Sequence, residues 1–114
     1  MTVDTPLDDL TIGRTLLVEV EPHAGHLVYQ VCALEQMDPA SDHARRIARD
    51  FPEQHEPVTF WRTIATFTGP PADERTATDT ALGHAATATG TRPGDLDCVL
   101  RLSGGIHRHR PTTA

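Results

Sequence analysis

The sequence predicts one α+β domain of order ββαβαβ, with a four-stranded sheet and two helices on one face. Four segments have the spacing or composition of strands, and two stretches between them have the spacing of helices. A chain of 114 residues is long enough for one hydrophobic core and too short for two domains. We assign residues 15–103 to this domain, 1–14 to a polar N-terminal arm and 104–114 to a flexible tail rich in His and Arg.

Residues 15–21 and 26–35 predict the first two strands. In the first segment the apolar residues Leu16, Val18 and Val20 lie two positions apart, which is typical of a half-buried strand. The second segment is apolar on both faces, so we place it inside the sheet. The residues that join the two segments predict a hairpin loop with a left-handed glycine, as Gly-containing loops of this length often adopt.

Residues 58–68 hold three of the chain's five aromatic residues. Nine of these eleven residues are β-branched or aromatic, and such side chains favour a strand. A short helix is the alternative, because Phe60, Ile64 and Phe67 also have helical spacing. A last strand is predicted at 96–102, where alternate residues are apolar.

Two helices are predicted, one beginning at Asp38-Pro39 and one after Pro70-Pro71. The aspartate is a good N-cap, and proline is well tolerated in the first turn. The second helix is poor in large apolar residues, and Gly83 lowers its propensity, so a break is expected near this glycine. Gly90 is the predicted C-cap.

Composition restricts the class of protein. All ten basic residues are arginine, with no lysine or asparagine, and because the codons of those two are AT-rich, this indicates a GC-rich bacterial source. The net charge of −6 disfavours binding to nucleic acid.

The first residues lack a signal-peptide pattern and no apolar run is long enough to cross a membrane, so we expect a cytoplasmic protein with no membrane partner. Cys32 and Cys98 are expected to be buried free thiols.

Histidine is the one enriched reactive residue, with seven copies. His23 and His26 lie in the first hairpin loop, and His107 and His109 lie in the predicted tail. If the two pairs met, they would complete a four-coordinate zinc or copper site. Solvent-exposed loop histidines are the alternative interpretation, and we predict no cofactor.

A second hypothesis is a small isomerase or cyclase with a histidine acid or base in a pocket between sheet and helices. Its candidates are His84 in the second helix and His55 beside an acidic residue. No phosphate-binding, dinucleotide-binding or zinc-protease motif accompanies them. Ser103 precedes two glycines at a strand end, and because the sequence places no base beside it, we interpret this stretch as a turn. Catalysis is therefore left open, and a non-catalytic role is favoured.

Arginines form two candidate basic patches. Arg45, Arg46 and Arg49 lie on the first helix, and Arg108 and Arg110 lie in the tail. Either patch is a candidate site for an acidic partner or a phosphate group, while ion pairs within the helix are the alternative for the first patch.

The aromatic segment also predicts an interface. Phe60 and Trp61 are adjacent, so on a strand they face opposite sides of the sheet. With helices on one face only, one of the two is exposed on the other face beside Leu17, Val28 or Val99. Such an apolar patch marks an interface more often than bare surface. The leading hypothesis is therefore an accessory or regulatory protein that acts by protein contact, as a homodimer, with a small-molecule ligand left open.

Overall fold

A computed structural model describes residues 7–53 and 58–111 and confirms the α+β class. The elements in chain order are β1 (Leu16–His23), β2 (His26–Gln36), α1 (Asp42–Asp50), β3 (Thr59–Gly69), α2 (Glu74–Thr89), a 3₁₀ turn (Pro93–Asp95), β4 (Cys98–Leu102) and β5 (Gly105–His109). The strands form one mixed sheet in the order β3-β2-β1-β4-β5. Strands β1 and β4 are parallel, and the other neighbours are antiparallel.

The prediction of four strands was wrong, because the sheet has five. The additional strand is β5, which forms in the segment predicted to be a flexible tail. Gly105 has a φ of 143°, which glycine adopts readily at a reversal of the chain. From this turn β5 pairs with β4 as far as Cys98 and His109. The element order is therefore ββαβαββ.

The first hairpin forms as predicted, but its loop is shorter than predicted. Strand β1 continues to His23 and β2 begins at His26, so these two histidines pair at the strand ends and do not lie in the loop. Strands β1 and β2 pair in register from Leu16 and Ala33 to His23 and His26. Gly25 has the predicted left-handed backbone, with a φ of 88°.

The aromatic segment is a strand, β3, and the helical alternative is excluded. Val31 of β2 pairs with Ala65 and the next residue, Cys32, pairs with Thr63. Ile64 is therefore the extra residue of a β-bulge, which reverses the alternation of faces along the strand. Because of this bulge Trp61 and Phe67 lie on opposite faces, although they are six positions apart and a regular strand would place them on the same face.

The main core lies between one face of the sheet and α2. It consists of aliphatic residues of the strands, a leucine just before β4, one tyrosine, one cysteine and three alanines of the helix: Leu16, Val18, Val20, Tyr29, Val31, Ala77, Ala81, Ala85, Leu96, Cys98, Leu100 and Leu102. The small alanine side chains allow α2 to approach the sheet closely. In the described part of the chain α1 adds no residue to this core; Ala44 is its one buried residue, and Phe51 just beyond it is 62% exposed. The prediction that two helices cover this face was therefore wrong for α1: α2 packs on the face, and the described residues of α1 do not contribute to its core.

The helix ends show which polar residues act as caps. Helix α1 begins after Ser41, whose hydroxyl oxygen accepts a hydrogen bond from the N–H of Ala44 at 3.2 Å, so the start predicted at Asp38-Pro39 was too early. Helix α2 is unbroken through Gly83. Gly90 caps it with a left-handed φ of 69°, as predicted.

Candidate interaction surface

The sheet face opposite α2 carries a hollow of about 230 Å³. No helix of the described chain packs on this side in the way that α2 packs on the other. The residues lining the hollow define what we call the open face: Leu7, Leu17, Glu19, Trp61, Val99, Arg101 and Ile106.

The floor of the open face is apolar and its rim is exposed. Leu17 and Val99 are 8% and 1% exposed, and Trp61 packs against the cluster that they form with Cys32. At the rim, Leu7 and Ile106 are 56% and 42% exposed. Leucine and isoleucine this exposed around a hollow form an apolar patch of the kind found at protein interfaces.

Three of the five predicted interface residues, Leu17, Trp61 and Val99, line this hollow. Phe60 faces the other side of the sheet, since its neighbour Trp61 occupies this one. Val28 pairs with Glu21 towards the hairpin end and does not line the hollow. Sequence reasoning missed Leu7 and Ile106, because they belong to the segments that it assigned to the arm and the tail.

One charged pair lies at the edge of the open face. Glu19 and Arg101 are directly opposite each other on the parallel strands β1 and β4, and 4.0 Å separates Oε1 from Nη1. The glutamate side chain is 27% exposed and the arginine side chain 64%. An exposed pair at this distance contributes little to stability, so both charges are available to a partner.

The chain before β1 is fixed to the sheet by a buried ion pair. Nε and Nη2 of Arg108 lie 2.8 and 2.7 Å from Oδ1 of Asp97. Nη1 of the same arginine donates to the carbonyl of Asp8 at 2.9 Å, and the Thr15 hydroxyl donates to Oδ2 of Asp97 at 3.0 Å. The Arg108 side chain is 6% exposed. The structure thus places Arg108 inside the protein rather than on an exposed basic patch, and it anchors the segment that carries Leu7.

The other predicted arginines lie on α1 and just after β5. Arg45, Arg46 and Arg49 are exposed on α1, and Arg49 lies 3.9 Å from the neighbouring Asp50. Arg110 follows β5 and is partly buried. A basic patch on α1 remains a prediction.

The four paired histidines occupy separate places. The rings of His23 and His26 face each other across the end of the first hairpin, with centroids 6.4 Å apart. On β5, His107 contacts Glu74 and His109 contacts the carbonyl of Pro93. Within residues 7–53 and 58–111 no three His, Cys, Asp or Glu side chains are grouped closely enough to hold a metal ion. The described residues therefore do not assemble the four-histidine centre.

The predicted acid–base candidates are placed as follows. His84 stacks on Phe67, with centroids 4.1 Å apart and the rings 8° from parallel, and its edge meets Tyr29 at 4.9 Å. Burial against these rings lowers the pKa of His84 from its usual value. These contacts give His84 a packing role, as an uncharged aromatic side chain at the edge of the core. His55 lies outside the described residues.

The lowered pKa of His84 predicts that stability falls with acidification. The unfolded chain, with a pKa of 6.5, takes up a proton at this residue before the folded chain does. Below that pH protonation of this histidine favours the unfolded state. Above it, the histidine is neutral in both states and its titration does not change the free energy of unfolding. We expect His84→Phe, which retains the aromatic stack, to lose less stability than wild type between about pH 7 and about pH 5. Urea denaturation at several pH values measures this; identical slopes for the two proteins would contradict it.

Both cysteines are buried and unpaired. Burial raises the pKa of the Cys98 thiol to about 12 and also raises that of Cys32. Both therefore remain protonated thiols at neutral pH, which agrees with the interpretation as core residues.

Comparisons with protein-family models, with curated proteins and with solved structures give no match to this chain. In the part of the chain that the structure describes, neither helix combines the length and the hydrophobicity needed to cross a membrane. Function is therefore inferred from the surface residues themselves.

Proposed function

We propose that this chain acts by protein contact, in an accessory or regulatory role, as a homodimer joined through the open face. The observation that supports it is the hollow whose floor, Leu17 and Val99, is apolar and whose rim, Leu7 and Ile106, is exposed. A second copy covering this rim would remove its apolar surface from water, and roughly 25 cal/mol is gained for each Å² so buried.

The charges of the open face favour a second copy as the occupant. The face carries one acidic and one basic side chain, Glu19 and Arg101, side by side. In a dimer with two-fold symmetry each contact occurs twice with the roles exchanged. Glu19 of each copy can then meet Arg101 of the other, so that both charges are matched. A partner surface with a single dominant charge would attract one of these two side chains and repel the other.

Light scattering during size-exclusion chromatography tests the dimer. Wild type is expected at twice the 12.4 kDa of one chain. Ile106→Asp places a charge on the rim, where the isoleucine is 42% exposed, and is expected to give a folded monomer because a buried unpaired charge opposes association. Phe51→Asp is the matched control: it removes a similarly exposed apolar residue outside the open face and should leave the dimer intact.

Charge reversal tests the contact more specifically. Arg101→Glu and Glu19→Arg each place like charges opposite each other and should weaken the dimer, while the double variant should recover it. Circular dichroism verifies that each variant is folded. Wild type that stays monomeric at high concentration, or a dimer that is insensitive to Ile106→Asp and to both reversals, would contradict the proposal.

A further inference from the structure

A second hollow, of about 310 Å³, lies on the opposite side of the sheet, where the start of α2 meets the ends of β1 and β4. We call it the α2 hollow. Its volume is at the lower end of the range for small-molecule sites. The walls are mainly apolar: Val20, Pro22, Leu27, Pro71, Ala72, Ala77 and Leu102. Glu74 and Ser103 are the polar residues among those that line it.

One hydrogen bond and one glycine determine where the carboxylate of Glu74 lies at this hollow. Nε2 of His107 lies 2.7 Å from Oε1, a distance at which the ring N–H donates to the carboxylate. On the other side, a Cβ atom at Gly104 would lie 2.8 Å from Oε2. The carboxylate can occupy this place only because residue 104 has no side chain.

One oxygen of this carboxylate is left for a ligand. A carboxylate accepts several hydrogen bonds through its two oxygens, and His107 uses Oε1. Among residues 7–53 and 58–111 there is no hydrogen-bond donor to Oε2. Glu74 is about half exposed, so a molecule in the α2 hollow can reach it.

The two acidic side chains at this end of α2 favour a cationic ligand over an anionic one, and the positive end of the helix dipole offsets part of their charge. Asp73 lies next to Glu74, and the N–H of Thr76 donates to it at 2.8 Å. This hydrogen bond lowers the pKa of Asp73 from its ordinary value of 3.8, and that value is itself far enough below neutral pH for the carboxylate to be ionised. Among the described residues that line the α2 hollow there is no arginine.

We propose that the α2 hollow binds a small amphipathic primary amine, with its hydrocarbon part against the apolar walls and its ammonium group donating to Oε2 of Glu74. The hydroxyl of Ser103 at the rim supplies a second acceptor. The site lies on the face away from the open face, so it does not depend on dimer formation.

Titration of the full chain with 2-phenylethylamine, followed by ¹H–¹⁵N NMR, tests the proposal. We expect saturable shifts at Ala77 and Ser103 and none at Ile106 on the open face. The neutral 2-phenylethanol should bind about tenfold more weakly, because its hydroxyl can still donate to the carboxylate but carries no positive charge. The anionic 3-phenylpropanoate should not bind.

Two variants and a matched control complete the test. Glu74→Gln keeps the shape of the side chain and should weaken amine binding about tenfold or more, whereas Asp79→Asn, an equal charge change on an exposed residue of α2, should leave it unchanged. Ala77→Leu should block binding by filling the α2 hollow from its wall. Absence of saturable shifts, equal binding of the amine and the alcohol, or unchanged binding in Glu74→Gln would overturn the proposal.

Discussion

Replacing Arg108 by alanine is expected to lower the free energy of unfolding by about 3–5 kcal/mol, because it leaves a buried carboxylate without its partner. The side chains of Arg108 and Asp97 are 6% and 9% exposed, so water cannot readily replace the lost contacts. The substitution also removes the hydrogen bonds to the carbonyls of Asp8 and Asp9. Equilibrium denaturation in urea measures the loss.

Two further variants separate this effect from a loss of charge alone. Arg62→Ala breaks an exposed pair with Glu35 outside the open face and should cost about 1 kcal/mol or less. The double variant Asp97→Leu/Arg108→Met replaces the buried pair by apolar side chains and should recover much of the stability, since such replacements are often neutral or stabilising. An Arg108→Ala protein as stable as Arg62→Ala would contradict the role of the buried pair.

Replacing Ala81 by leucine is expected to destabilise the protein by about 1–3 kcal/mol through overpacking. Ala81 is 0% exposed and lies where α2 packs on the sheet. Leucine has a high helix propensity, so the loss would come from the larger side chain forcing α2 away from the sheet. Thermal or urea denaturation gives the magnitude.

Thr76→Leu provides the control for this substitution. Thr76 is on the exposed side of the same helix, so a leucine there meets solvent and not the sheet, and a change within about 0.5 kcal/mol is expected. If Ala81→Leu were as well tolerated as Thr76→Leu, α2 would not be packed on the sheet as closely as the buried alanines indicate.

Much of the open face could be predicted from local pattern. Leu17 and Val99 lie at outward positions of alternating segments, so their sharing a face needed only the pairing of two strands. The choice between Phe60 and Trp61 could not be made from the sequence. It depends on the bulge at Ile64, and without this extra residue Trp61 would lie on the same side as Phe67.

Strand β5 illustrates what local pattern leaves out. His107, Arg108 and His109 read as a polar tail, since none of these side chains favours burial. They are held in the sheet by partners remote in sequence: Glu74 for His107, and Asp97 for Arg108. No local periodicity encodes such partners. The sequence therefore did not indicate that Ile106 of β5 lines the open face or that His107 contacts Glu74 at the α2 hollow.

The sequence alone specified the α+β class, the first hairpin and the glycine cap of α2, and it favoured a strand over a helix for residues 58–68. Each of these depends on side-chain periodicity or backbone preference within a few residues. Tertiary structure determined the fifth strand, the face on which Trp61 lies, the burial of Arg108 and the position of the Glu74 carboxylate beside Gly104. These depend on pairing and charge contacts between residues distant in the chain, which become energetically relevant only when the sheet has formed.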